Sequence, residues 1–127
     1  MIATAVAAGT PMNLHVLIYA QDAGYGESLT KLIQTWDVKV TLASNLREAK
    51  QALSLGTIHL SLLSCRSKDS AEFLQWLRSD VNGDGFPVIA LSEQCGDREI
   101  FELYHHGADF VLEKPINPQE LRSILRA

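Results

Sequence analysis

The segment from Gly107 to Leu121, GADFVLEKPINPQEL, constrains the fold of this chain more than any other stretch. Its apolar run FVL is typical of a strand that a parallel sheet buries on both faces. Because Pro115 cannot donate a sheet hydrogen bond and restricts the residue before it, the predicted strand ends at this point. Lys114 is therefore expected at the carboxyl end of a sheet, where open α/β folds place their functional sites.

Both flanks of this strand carry helix signals. Gly107 suits the end of a preceding helix, because glycine adopts a positive φ without a Cβ penalty. After the strand, Asn117, Pro118 and Glu120 supply an N-cap, a residue suited to the first helical position and an acidic residue at the third. The sequence therefore predicts a helix that begins at Pro118. Its predicted inner face consists of Leu121, Ile124 and Leu125.

The rest of the chain alternates between two hydrophobic patterns. Short apolar or alternating runs predict strands at 15–19, 39–43, 58–63, 87–91 and 110–112. Helical spacing lies between them: a helix opened by residues 26–28, a second capped by Asn45 and Glu48, a third capped by Asp69 and Glu72, and a fourth over 97–106. Because parallel strands need crossover connections, this alternation predicts a parallel sheet with helices on both faces.

Composition limits the class of protein. The 127 residues include 46% hydrophobic and 20% charged residues, which predicts one globular domain over 14–127. We expect residues 1–13, which are mostly small and contain no Lys or Arg, to form a loose tail rather than a signal peptide or a membrane span. A net charge of −4 gives no basic field for nucleic acid. Two cysteines are too few for a disulfide scaffold, which favours a reducing cytoplasm.

Three weaker patterns do not predict a metal or cofactor site. The segment at 80–85 copies the first half of a calcium-binding loop but lacks the Glu that the last loop position needs, so a glycine-rich turn is expected. Adjacent His105 and His106 point about 100° apart on a helix and cannot chelate one ion together. Cys65 and Cys95 follow the third and fourth predicted strands. We expect two unconnected thiols there, with a redox pair as the alternative.

The succession of Gly-Ala-Asp, apolar strand, Lys-Pro and capped helix resembles the end of a response-regulator receiver (CheY-like) domain. The order of elements keeps register with that family over 14–126. The resemblance implies a flavodoxin-like α/β fold with a five-stranded parallel sheet of strand order 2-1-3-4-5 and helices on both faces. It also implies that Lys114 is the family's invariant lysine and that Ser92 is its Thr or Ser at the end of strand four.

The acidic residues of the family's phosphorylation site are missing. Ser64 falls where the resemblance implies the phosphoacceptor aspartate, at the end of strand three. The acidic pair that holds Mg²⁺ falls on Ala20 and Gln21, with Asp22 one residue late, although Mg²⁺ prefers carboxylate ligands. Glu93 replaces a small residue and would repel an incoming phosphoryl group. The resemblance therefore implies a degenerate pseudo-receiver, not phosphorylated on aspartate and without catalysis of its own.

Lys114 is left without the phosphate partner that the family's lysine has. Because an unpaired cation in a partly buried cleft is costly, we expect Lys114 to contact a nearby carboxylate. Asp22 and Glu93 are the candidates.

Receivers signal through the face built from helix four, strand five and helix five, so the resemblance implies a protein partner at this face. The residues that it places there are Phe101, Tyr104, His105, Asp109, Phe110, Val111 and Arg122. The resemblance also places Val111 where receivers usually carry the aromatic residue that moves when they switch. The expected partner is a kinase, an output domain or another signalling protein, and a homodimer through the same face is a further expectation. Neither nucleic acid nor a membrane is an expected partner.

Two rival functions stay open. The first is a receiver that catalyses its own phosphorylation on an unusual acceptor. The second is a small flavodoxin-like domain that binds a nucleotide or a flavin at the carboxyl ends of the strands. The second is less favoured, because the segment AQDAGYGE at 20–27 is not a dinucleotide-binding fingerprint.

Overall fold

The computed structural model describes residues 14–79, 86–93 and 97–126. Within them, five strands alternate with five helices, as the sequence predicts. The strands are β1 (His15–Ala20), β2 (Lys39–Ala43), β3 (Leu60–Ser64), β4 (Val88–Ser92) and β5 (Phe110–Glu113). The helices are α1 (Ala23–Gln34), α2 (Leu46–Ser54), α3 (Ser67–Ser79), α4 (Asp97–His106) and α5 (Pro118–Arg126). The predicted N-terminal tail, the predicted turn at 80–85 and Cys95 lie outside the described residues.

The five strands are parallel, and their order is β2-β1-β3-β4-β5. The expected sheet is therefore confirmed. Each connection passes through a helix, because a tight turn cannot join parallel neighbours. β1 and β3 end together where Ala20 pairs with Ser64, and β4 and β5 end together where Ser92 pairs with Glu113. These four strand ends lie at the carboxyl end of the sheet. The positions that the resemblance assigns to a phosphorylation site are found there.

The sheet separates two hydrophobic cores. One face is covered by α1 and α5, whose buried residues include Ile33 and Leu121. The other face is covered by α2, α3 and α4, whose buried residues include Ala49, Phe73 and Leu103. Each fully buried aliphatic side chain contributes roughly 1.5 to 3 kcal/mol relative to exposure, so these cores dominate the stability of the fold. No helix in the described part of the chain is long and apolar enough to cross a bilayer.

Two helices begin earlier than the sequence predicts. α1 starts at Ala23 rather than near Gly26, because Asp22 is its N-cap and accepts a 3.2 Å hydrogen bond from the Tyr25 amide. α3 starts before Asp69, so this residue lies in the first turn of the helix instead of capping it. In both cases the hydrophobic pattern located the helix, and the terminal turn lay outside that pattern.

The predicted caps of α2 and α5 are confirmed. Asn45 Oδ1 accepts from the Glu48 amide at 2.9 Å, and Asn117 Oδ1 accepts from the Gln119 amide at 2.9 Å. These bonds satisfy amides that have no partner within their helices. Gly107 has a φ of 118°, a conformation that favours glycine, and it leads the chain from α4 toward β5.

The prediction that the strand at 110–112 is buried on both faces is wrong. β5 is an edge strand, paired with β4. Phe110 is 46% exposed and Val111 is half-buried, whereas Leu112 is buried. A short apolar run suits both a central strand and an edge strand, so the pattern alone does not distinguish them. Phe110 therefore leaves apolar surface exposed at the edge strand of the sheet.

Candidate functional site

A cleft of about 960 Å³ opens at the carboxyl ends of the strands. It is lined by Gln21, Asp22, Tyr25, Ser64, Cys65, Arg66, Leu91, Glu93, Glu99, Lys114 and Pro115. Five of the seven positions that the resemblance assigns to a phosphorylation site therefore lie together in one cleft. The other two, Ala20 and Ser92, are buried as the last residues of β1 and β4.

Lys114 makes three contacts in this cleft. Its Nζ donates to Ser64 Oγ at 2.8 Å and to Glu93 Oε1 at 3.3 Å. The same atom lies 4.2 Å from the centroid of the Tyr25 ring, which is a cation–π geometry. The Lys114 side chain is only 19% exposed, so these partners replace part of the hydration that the ammonium loses. The three contacts hold the lysine head group in the cleft.

Of the two carboxylates expected to neutralise Lys114, Glu93 is confirmed as a partner. Asp22 instead caps α1, where a carboxylate is favourable because the amino end of a helix carries partial positive charge. Sequence reasoning missed Tyr25, which lies in the first turn of α1 and reaches the cleft. Burial, with the nearby Glu93 carboxylate, raises the pKa of the Tyr25 phenol, so a neutral ring faces the ammonium.

The hydroxyl of Ser92 already has a partner within the protein. Its Oγ donates to the Glu93 carbonyl oxygen at 2.7 Å, and the side chain is buried. The Lys114 amide donates to the Ser92 carbonyl oxygen at 2.7 Å, which joins the ends of β4 and β5. Ser92 therefore lies at the expected strand end, with its hydroxyl turned to the backbone.

Gln21 joins the loop after β1 to the segment after β3. Its Nε2 donates to Asp69 Oδ2 at 2.7 Å, and its Oε1 accepts from the Arg66 amide at 2.6 Å. The backbone amide of Gln21 donates to the Ser64 carbonyl oxygen at 3.2 Å. Sequence reasoning placed Gln21 at the site but missed this bridge. The sequence signal that could have indicated this bridge was a glutamine at a position where the resemblance implies an acidic residue.

Cys65 lies in the wall of the cleft. Its thiol donates to the Tyr19 carbonyl oxygen at 3.6 Å. Burial raises the pKa of the Cys65 thiol to about 12, so the reactive thiolate is scarce at neutral pH. Cys95 lies outside the described residues, and the redox-pair alternative stays a prediction.

The expected interaction face carries exposed aromatic side chains. Phe101 and Tyr104 on α4 are 70% and 47% exposed, and Phe110 of the adjacent strand β5 is 46% exposed. The Phe101 and His105 rings stack with centroids 6.2 Å apart. Tyr104 Oη accepts a 3.2 Å hydrogen bond from the Val111 amide, which covers one backbone group of the edge strand. We call Phe101, Tyr104, His105 and Phe110 the aromatic patch.

The two charged residues expected at this face contact other elements. Asp109 Oδ2 accepts from Arg78 Nη2 at 3.0 Å and from the Val88 amide at 2.8 Å, so it joins α3 to the start of β4. The Arg122 guanidinium lies 5.9 Å from the Trp36 ring centroid, close to the end of α1. Their part in an interaction face stays a prediction, and the contacts seen are internal to the fold.

The histidines at the strand starts lie at the opposite end of the sheet from the cleft, as expected. The His15 ring nitrogens lie 2.7 Å from Thr41 Oγ1 and 3.3 Å from Thr57 Oγ1. His59 Nδ1 accepts from the His15 amide at 2.9 Å. Across residues 14–79, 86–93 and 97–126, no three His, Cys, Asp or Glu side chains are grouped closely enough to hold a metal ion.

Two curated proteins are similar to this chain in sequence, although no protein-family model matches it. Response regulator Rre1 of Synechocystis sp. is 33% identical over 118 residues, which cover 89% of the chain and 50% of the relative. The putative two-component response regulator-like APRR4 of Arabidopsis thaliana is 25% identical over 120 residues, which cover 91% of the chain and 40% of the relative. The chain therefore spans half the length, or less, of these relatives.

The fold is similar to that of solved receiver structures. The receiver domain of the sensor histidine kinase PA1611 from Pseudomonas aeruginosa matches with a TM-score of 0.80 at 21% sequence identity. The match covers 90% of this chain and 95% of that domain. At this level of identity the match shows the fold alone. The chemistry of the cleft depends on the residues that line it in this chain.

The Pseudomonas domain has a magnesium ion coordinated in its active-site cleft, whereas the donor set of this chain does not fit one. The side-chain amide of Gln21 already donates to Asp69 and accepts from the Arg66 amide, and Asp22 is the N-cap of α1. Ser64 Oγ accepts from the Lys114 ammonium, a cation that occupies the place beside it. Mg²⁺ needs hard oxygen ligands, usually carboxylates, in near-octahedral geometry.

Proposed function

We propose that this chain, a receiver domain of the two-component response-regulator type, is a non-catalytic regulatory domain that binds a protein partner and is not phosphorylated on aspartate. Ser64 carries this proposal, because it ends β3, where the resemblance implies the phosphoacceptor, and its Oγ accepts a hydrogen bond from Lys114 at 2.8 Å. A carboxylate can form the labile acyl phosphate of a receiver, whereas a serine hydroxyl forms a phosphate ester.

The surroundings of Ser64 do not activate it as a nucleophile. A serine hydroxyl reacts when a neighbouring base removes its proton. Lys114 lies within hydrogen-bond distance of the hydroxyl, and its ammonium, paired with the Glu93 carboxylate, has no lone pair to accept that proton. Glu93 also places negative charge where a phosphodonor would approach. These contacts support a site without phosphoryl transfer.

The aromatic patch supports a protein partner. Phe101, Tyr104 and Phe110 are three of the five large hydrophobic side chains that are exposed among the described residues. Aromatic residues are favoured anchors of protein interfaces, because they bury a large area at a small entropic cost. We infer that the partner is a cytoplasmic kinase, an output domain, another signalling protein or a second copy of the chain.

Intact-mass spectrometry after incubation with acetyl phosphate and Mg²⁺ tests the absence of phosphorylation. We expect the wild-type chain to keep its mass, while a receiver with an aspartate acceptor, treated in parallel, gains a phosphoryl group. Ser64→Ala is the matched control, because it removes the hydroxyl at the acceptor position. A phosphoryl adduct on the wild type that is lost in Ser64→Ala would contradict the proposal and favour self-phosphorylation on an unusual acceptor.

A further inference from the structure

One side chain, that of Gln21, fixes the segment after β3 relative to the loop after β1. The Gln21 side chain is bonded to Arg66 and Asp69, and the Gln21 backbone amide donates to the Ser64 carbonyl oxygen. These residues extend from the last position of β3 into the first turn of α3. The bridge therefore spans the floor of the cleft and the start of the helix beside it.

The two side-chain bonds need an amide. A glutamine offers an acceptor oxygen and a donor NH₂ group, so Gln21 satisfies the Arg66 amide and the Asp69 carboxylate at the same time. A glutamate of the same shape would still accept from the Arg66 amide. Its second oxygen would face the Asp69 carboxylate, and like charges at this distance repel each other. A cation would then be needed between the two carboxylates to keep the same geometry.

We propose that the Gln21 amide takes the place of a divalent cation between these two segments, so that they stay joined without metal. The Pseudomonas receiver has a magnesium ion coordinated in its cleft. In this chain, one neutral side chain from the loop after β1 is hydrogen-bonded to the segment after β3 at both Arg66 and Asp69. The bridge depends on the bonds of Gln21 and holds whether or not Ser64 accepts a phosphoryl group.

Hydrogen exchange of the Arg66 backbone amide, followed by NMR on the whole chain, tests the bridge. Gln21→Ala removes both side-chain bonds, and we expect the Arg66 amide to exchange about fivefold faster, the effect of losing one net hydrogen bond. Gln75→Ala is the matched control, because Gln75 is exposed on α3. It should leave the Arg66 exchange rate unchanged. An unchanged rate in Gln21→Ala would overturn the bridge.

The dependence of the melting temperature on divalent cations tests whether the Gln21 amide takes the place of a cation. Gln21→Glu places a carboxylate opposite Asp69, so we expect millimolar MgCl₂ to raise the melting temperature of this variant above its value in NaCl of equal ionic strength. If this variant is unfolded in a chelator, folding on addition of MgCl₂ is the equivalent result. The wild type, and Gln75→Glu with the same added charge, should melt at equal temperatures in both salts.

Two results would contradict the proposal that the Gln21 amide takes the place of a cation. One is a wild-type melting temperature that rises in MgCl₂ as much as that of Gln21→Glu. The other is a Gln21→Glu variant that is indifferent to MgCl₂. Neither measurement uses a phosphodonor. The proposed absence of phosphorylation can therefore be contradicted by mass spectrometry while the Gln21 bridge is supported, and the bridge can be contradicted while the absence of phosphorylation is supported.

Discussion

Lys114 donates a hydrogen bond to Ser64 Oγ over 2.8 Å, which joins the end of the edge strand β5 to the end of the central strand β3. The strand between them, β4, is followed directly by Glu93, and its carboxylate is the counterion of the same ammonium. Three neighbouring strand ends are therefore held by one lysine. The charge of Lys114 is balanced within the chain, without an external anion.

Replacing Lys114 by methionine should destabilise the fold, because Ser64 Oγ loses its donor and Glu93 its counterion. We expect the free energy of unfolding to fall by about 1 to 2 kcal/mol, the value of a charged hydrogen bond reduced for partial exposure. Urea unfolding measures it. Lys31→Met is the matched control, because Lys31 is exposed on α1 and should change little. Equal stability of the two variants would show that the Lys114 contacts contribute nothing.

A buried histidine should make the stability of the fold depend on pH. Burial, followed by the charges of Lys39 and His59, lowers the pKa of His15 below its ordinary value of 6.5. The unfolded chain therefore binds the proton more tightly than the folded chain. The contribution of His15 is complete above about pH 6.5 and declines as the pH falls through its lowered folded pKa. We expect the free energy of unfolding to fall more steeply between about pH 7 and pH 5 in the wild type than in His15→Gln.

Urea unfolding across this pH range separates His15 from the other titrating groups, because they contribute to both proteins. His105→Gln is the control, since His105 is exposed on α4. It should keep the wild-type slope. If His15→Gln has the wild-type slope as well, the buried ring is not the source of the pH dependence.

The sequence predicted the fold because its hydrophobic periods and caps agree with one another over nearly every element. The helix at 97–106 and the start of α5 match the structure residue for residue. The early start of α1 was missed, because glycines in its first turn read as breakers. One of them, Gly26, is buried in α1, and a Cβ on it would lie 2.9 Å from Leu42 Cδ1. That glycine is therefore explained by close packing against β2, which no local pattern reports.

The resemblance predicted five of the residues that line the cleft, but not how their side chains are connected. Tyr25 reaches Lys114 only because α1 begins early enough to place its ring over the ammonium. The Gln21 bridge to Asp69 joins residues 48 positions apart. Contacts of this kind depend on how the helices sit on the sheet, and single-sequence periodicity carries no information about that.

Phe101 should matter for binding and little for stability, because most of its side chain is exposed on the aromatic patch. We expect Phe101→Ala to weaken self-association, or binding to a signalling partner, about thirtyfold, which is the effect of one interface anchor worth about 2 kcal/mol. Sedimentation velocity measures the first and titration calorimetry the second. Leu55→Ala is the matched control, since Leu55 is 73% exposed and lies outside the patch. Equal losses in the two variants would contradict a specific role for the patch.

Ser92 and Val111 fall where the resemblance to receivers implies switch residues, and each has a bonded partner in this structure. The Ser92 hydroxyl is bonded to the neighbouring carbonyl oxygen, and in the proposed function no phosphoryl group forms to draw it away. Val111 is β-branched and has few rotamers, and its amide is bonded to Tyr104 Oη. A ligand shifts only populations that it distinguishes, so a face with one arrangement should not respond to a ligand in the cleft. We therefore expect a constitutive binding surface, regulated by the availability of its partner.

Backbone amide NMR with and without Mg²⁺ and beryllofluoride, a phosphate mimic, measures this directly. The amide peaks of Ser92, Tyr104 and Val111 should stay in place, because Glu93 already neutralises Lys114 and the Gln21 amide already joins the two loops. A receiver with an aspartate acceptor, titrated in the same way, should show large shifts at the equivalent positions. Saturable shifts of the three peaks in this chain, at millimolar Mg²⁺ or below, would show that its cleft binds the mimic and that its face does switch.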